Sequence, residues 1–165
     1  ELFLFLLAAF WEETAKYLAA RSIFHHEKEF DEETDAMVYL IVTALGFAAS
    51  ENIIHALSGF VDGGDNPLVA SIRIIMMRSV GATLLHALAS GALGYFLARS
   101  AFLKERFSLL KGFIAATAIH TLFNWLLYLQ ELLKVQSIMY IVILLLAGGF
   151  ILILRDFSLL KQYDG

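Results

Sequence analysis

Cysteine is absent from the 165-residue chain, which excludes disulfides, thiolate metal sites and cysteine nucleophiles. Proline occurs once, at Pro67, inside the turn-rich stretch Asp62-Gly63-Gly64-Asp65-Asn66-Pro67. Charge is also scarce: only 17% of residues are Asp, Glu, Lys or Arg, while 59% are hydrophobic and the mean hydropathy is +0.73. Soluble domains hold about 45–50% apolar residues, so the chain is a polytopic membrane protein. A net charge of −4 gives no nucleic-acid footprint. The acidic stretch 27–35 reads as a solvated loop.

A spanning helix needs about 20 mostly apolar residues, and the sequence offers about five such runs. They cover 2–24, 36–60, 68–98, 109–129 and 135–154. The fold class expected is all-α, a transmembrane helix bundle. Arg73 and Arg78 interrupt the third run, so 68–78 is expected as a short interfacial or broken helix before a span from about Ser79, both arginines snorkelling to headgroups. The fifth run has no ionisable residue and reads as a packing helix. The loops are too short to fold separately, so 1–165 is expected to form one membrane-embedded domain. It starts at Glu1, almost inside an apolar run, so an N-terminal truncation with preceding helices missing is expected.

Orientation follows from the short loops. Arg99, Lys104, Arg106 and Lys111 make the third connection cytoplasmic. Alternation then puts the 25–35 loop and the tail on the same side, and the 62–67 turn outside.

Four of the runs carry ionisable groups mid-span. Each such group costs roughly 2.5–3.5 kcal/mol on insertion scales and so marks a function. From the cytoplasmic helix ends, Glu51 lies about 15 residues in, His86 about 12, His120 about 11, and Glu12 and Glu13 about 11–12. At 1.5 Å per residue all fall at roughly 16–23 Å of a ~30 Å core. Unrelated buried polar residues would have no reason to share one level.

Glu12 and Lys16 are i, i+4, and Glu13 is i+3 to the same lysine. One carboxylate can be neutralised by Lys16, the charge partner, leaving the other free as a base. His120 and Asn124 share a helix face, where the Asn amide could donate to a developing oxyanion. Two His with one carboxylate form a known catalytic zinc set; a metal-free version, with Glu activating water and the His residues polarising the carbonyl, is equally allowed. A row Thr83, Ala87, Gly91 and another Ser90, Gly94, Ala98 suit close helix packing. His55, one turn from Glu51, could partner it or simply lie at the interface.

Other intramembrane chemistries fail on spacing. After His26-Glu27 a zinc HExxH needs histidine where Phe30 stands, and every aspartate reads as loop or tail. Ser90 and His86 share one helix, which makes a poor dyad.

The order Glu12-Glu13-Thr14-Ala15-Lys16 (EExxK), Phe47 to Glu51-Asn52 (FxxxE-N), His86, and His120 to Asn124 (HxxxN) resembles the PrsW family of intramembrane proteases. These are distant relatives of the CAAX-prenyl endopeptidase and bacteriocin-immunity group. The resemblance covers about residues 10–125. It implies a membrane metallopeptidase of a prokaryotic plasma membrane, acting on membrane-anchored protein substrates, with zinc as cofactor. Glu12, Glu13 and Asn124 would be catalytic, and Glu51, His86 and His120 would hold the metal. Two competitors remain: a proton or metal transporter, and an immunity-type interaction protein. No internal repeat and no central Gly/Pro break in the fourth run support the transporter. A polar cavity opening toward the 62–67 turn is expected to admit water.

Overall fold

The computed structural model describes residues 1–24 and 30–163. The acidic and cytoplasmic-loop expectations for 25–29, with His26 and Glu27, lie outside the described residues. Five helices account for the fold: α1 (Leu2–Phe24), α2 (Glu33–Asp62), α3 (Pro67–Ala101), α4 (Ser108–Leu133) and α5 (Ile138–Leu160). Among the described residues no strand occurs, as the uninterrupted apolar runs require. Helices α2 to α5 are long and apolar enough to cross a membrane. Helix α1 is long enough at 23 residues but carries Glu12, Glu13, Lys16 and Arg21. Two of these, Glu13 and Lys16, are buried inside the bundle and so do not meet lipid.

The boundaries differ from the sequence reading in two places. The acidic stretch is not all loop: Glu33, Thr34 and Asp35 open α2, and the Asp35 carboxylate accepts the backbone N–H of Glu32 at 2.9 Å. Acidic groups there satisfy orphan donors and complement the helix dipole. The break expected at 68–78 is absent, and α3 runs 35 residues without interruption. Pro67 occupies its first turn, where a missing N–H costs nothing. Arg78 need not leave the helix, because it finds an anion on α2.

α2 and α3 form a long antiparallel pair. Gly94 makes their approach possible: a Cβ there would stand 2.6 Å from the Met37 Cα and 2.8 Å from the Ala36 carbonyl oxygen. Ser71 Oγ donates to the Ala56 carbonyl at 2.8 Å nearer the turn. α4 packs on α1 through Tyr17 and Phe113, ring centroids 5.2 Å apart. α5 covers Leu85, Leu88 and Phe123 with Val142 and Leu146.

One end of the bundle is closed by aromatics. Phe30, just before α2, stacks on Phe24 at 4.5 Å and meets Phe102 after α3 at 5.3 Å. There Arg99 also grips Glu105 through two nitrogens and donates to the Tyr95 hydroxyl at 2.6 Å. That guanidinium holds the Glu105 carboxyl below the usual carboxylate range. The first and third connections thus share one end.

Candidate active site

The charged turn of α1 points into the bundle. Lys16 Nζ donates to Glu13 Oε1 at 2.7 Å, and both side chains are fully buried. Ser90 on α3 donates to the other Glu13 oxygen at 3.0 Å, and His120 Nδ1 on α4 lies 2.9 Å from Glu13 Oε1. Glu13 therefore ties three helices together, with a buried cation and two further donors offsetting its desolvation. Lys16 also packs over the Phe47 ring at 4.7 Å, a cation–π contact that suits an ammonium removed from water.

Lys16 Nζ reaches His86 Nδ1 at 2.7 Å as well. An ammonium can only donate, so His86 Nδ1 accepts and its proton resides on Nε2. That nitrogen stands 2.9 Å from Glu51 Oε2 on α2. Arg78 Nη2 holds the same oxygen at 2.8 Å, and Arg78 Nε donates to Asn52 Oδ1 at 2.9 Å. Asn52 in turn donates to Thr83 at 3.2 Å. His55 lies 3.5 Å from the second Glu51 oxygen, half exposed, so it faces Glu51 from the rim. One hydrogen-bonded chain thus runs Arg78, Glu51, His86, Lys16, Glu13, His120 across four helices.

At its far end, Glu12 and His120 face each other without a bond. With Nδ1–H of His120 donated to Glu13, its Nε2 lone pair looks at Glu12 Oε2, 3.6 Å away. That carboxylate oxygen is buried and has no hydrogen-bond partner. Two acceptors so placed call for something positive between them, a proton or a cation. One donor atom from each of Glu12, His86 and His120 lies within 4.8 Å of the others. Two imidazoles and a carboxylate suit zinc, and the His120–Glu13 bond is the outer carboxylate such ligands usually have. The residues therefore fit a divalent metal, although His86 would first have to release Lys16 or Glu51.

The two imidazoles form the polar end of a cavity of about 470 Å³ between α3, α4 and α5. Glu51, Arg78 and Asn124 join them there, and the remaining lining is mainly apolar, including Leu85, Phe123, Val142 and Leu146. The cavity expected as polar is thus polar only at its inner end. Asn124 stands one turn beyond His120 on α4 and faces the same space.

The candidate site residues Glu12, Glu13, Lys16, Glu51, His86, His120 and Asn124 lie in or beside this cluster. The grouping is different in detail: Glu12, not Glu51, shares the donor group with the two histidines, and Glu51 sits with Arg78. Arg78 and Ser90 were missed as members. Arg78 does not snorkel outward, because Glu51 and Asn52 offer it an anion and a carbonyl inside, whereas Arg73 is exposed. A signal existed in the sequence: Glu51 and Arg78 stand equally far from the Gly63–Asn66 turn, so an antiparallel pair sets them opposite.

The chain resembles three proteins named Protease PrsW. It is 32% identical over 129 residues to that of Geobacillus kaustophilus, covering 77% of this chain and 52% of the relative. Identity is 26% to that of Oceanobacillus iheyensis, covering 74% and 53%, and 25% to that of Clostridioides difficile, covering 85% and 58%. The chain spans about half the length of these curated relatives. No solved structure matches it. The sequence pattern of the PrsW family intramembrane metalloprotease matches residues 1–148. With membrane-crossing helices and that match over most of its length, this integral membrane chain belongs to the PrsW family.

Proposed function

We propose that residues 1–165 act as one membrane-embedded peptidase domain that hydrolyses peptide bonds of membrane-anchored proteins. The observation that carries this reading is the unpartnered Glu12 oxygen facing His120 Nε2. A free carboxylate beside a fixed imidazole is poised to take a proton from water. Glu13 and Lys16 keep His120 and His86 in one orientation each. Asn124 donates its amide N–H to the carbonyl oxygen as charge develops there, and Glu51 serves as the acceptor that fixes the His86 tautomer. In a metal form of the site Glu12 would be a ligand rather than the base, together with His120 and with His86 released from Lys16, zinc being the best match to that set; its chemistry is Lewis acidity at the carbonyl and activation of water.

A second reading has its own observation. Both His86 nitrogens are already engaged, by Lys16 and by Glu51. A metal-free enzyme would leave those bonds intact, with Glu12 alone as base.

The test uses purified protein in lipid nanodiscs with a panel of membrane-segment peptides, with and without chelator. Glu12→Gln is expected to lower kcat by about 10²–10⁴-fold, the usual worth of a general base, with the protein still folded. Cleavage by this variant at the wild-type rate would remove Glu12 from the chemistry. Loss of cleavage with chelator, alongside bound metal that disappears in His120→Ala, selects the metal mechanism; chelator-resistant cleavage by metal-free protein selects the other.

A further inference from the structure

The cavity between α3, α4 and α5 has two unlike ends, and only the inner one is used by the chemistry above. Its walls beyond the histidines come from Leu85, Phe123, Val142 and Leu146, and from α5 it receives no ionisable side chain. Met77 and Val80 line the space and are also largely exposed on α3. The cavity therefore reaches from the exposed surface of α3 to the cluster. Gly81 lies in its wall, and a Cβ added there would meet only the Phe123 Cζ, at an ordinary 3.7 Å. A glycine inside a long helix lowers its stability relative to alanine. Here its effect is to leave the wall open, since a side chain at 81 would grow into the cavity.

We propose that this cavity is a substrate subsite for a large apolar side chain beside the scissile bond, and that Gly81 sets its size. The occupant is an unwound stretch of a membrane-anchored substrate entering sideways from lipid. Its backbone meets the polar end, where Asn124 and the histidines stand, and one side chain of leucine or phenylalanine type fills the apolar end. An extended backbone sends alternate side chains to opposite faces, so one enters while its neighbours point away. Volume and lining match the general form of small-molecule sites, apolar with a few convergent polar groups. The inference rests on the peptidase reading.

The experiment compares cleavage of one membrane-segment peptide in which Phe, Leu, Ala or Gly occupies each position flanking the cleaved bond. Hydrophobic pockets discriminate by about 10–200-fold for small changes in side-chain bulk, so the wild type should prefer Phe or Leu over Gly by at least that lower bound. Gly81→Leu should reduce the Phe-to-Ala ratio of kcat/KM by about tenfold or more, and Gly81→Ala should give an intermediate ratio. Gly148→Leu, on open space in α5, should leave the ratio as it is. A Gly81→Leu variant that slows every peptide equally, with Gly81→Ala unchanged in ratio, overturns the subsite. If wild-type protein cleaves nothing, the peptidase reading fails, and the cavity is probed by cross-linking. A membrane peptide carrying benzoylphenylalanine should label Leu85, Val142 or Leu146 and lose that label in Gly81→Leu. Labels spread over outward-facing Ile53 and Leu57 would mean that a lipid chain occupies the cavity instead.

Discussion

Lys16 Nζ stands 2.7 Å from both Glu13 Oε1 and His86 Nδ1, so one ammonium sets the hydrogen-bond roles of both halves of the cluster. It makes Glu13 the acceptor for His120 and forces the His86 proton toward Glu51. From spacing alone both Glu12 (i, i+4) and Glu13 (i, i+3) could pair with Lys16, so the sequence showed that one carboxylate would be held and not which. The structure pairs Glu13 with Lys16 and leaves a Glu12 oxygen without a partner. Nothing in one helix could show that Glu51 turns toward Arg78, since that contact depends on where α2 and α3 meet. Its consequence is testable. Groups that orient a reacting imidazole are typically worth about 10–100-fold, so Arg78→Gln should lower kcat by that range with little change in KM. Arg78→Lys should recover part of the loss, and Arg73→Gln, at an exposed position, should behave as wild type. The sharper readout is coupling: Arg78→Gln added to Glu51→Gln should cost no further activity. Additive losses would mean that Arg78 acts elsewhere than through Glu51.

At the level of elements, runs of apolar residues were enough to locate all five helices, because in lipid a backbone has few choices but helix. The errors fell where charge sits inside a helix. Arg73 and Arg78 suggested a break in α3, yet a helix tolerates a part-buried arginine such as Arg78 when an adjacent helix supplies the anion. The acidic residues Glu33 and Asp35 suggested a loop but open α2, because acidic groups favour a helix N-terminus. The small-residue row through Gly94 was read as packing, and the structure makes it specific: the α2 backbone fills the space that a side chain would need. Overpacking a tight contact costs about 1–3 kcal/mol. Gly94→Leu should therefore lower the thermal midpoint in detergent, while Gly148→Leu, with nothing within 4 Å of its Cβ position, should stay close to wild type. Equal effects of the two would show that helix propensity, not approach of α2 and α3, governs the position.

For the whole molecule, the site and the bundle are held by the same groups. Glu13, Lys16, His86, Ser90 and His120 are all buried, and their bonds join α1, α3 and α4, with Glu51 bringing in α2. Removing one member of a buried pair leaves an uncompensated charge and costs about 3–5 kcal/mol, whereas replacing both with apolar residues of similar volume is often neutral or stabilising. Lys16→Met alone should thus destabilise the bundle by that amount, read as a lowered unfolding midpoint in detergent. Lys16→Met with Glu13→Leu should recover most of the lost stability, less the bonds that Ser90 and His120 made to Glu13, each worth about 1 kcal/mol. The double variant should nevertheless be inactive on membrane peptides, because His120 and His86 lose the partners that orient them. Recovery of stability without recovery of activity assigns the buried pair to the site. If cleavage returned together with stability, the pair would be a helix fastener, and the role of orienting the histidines would pass to Glu51 and Arg78 alone.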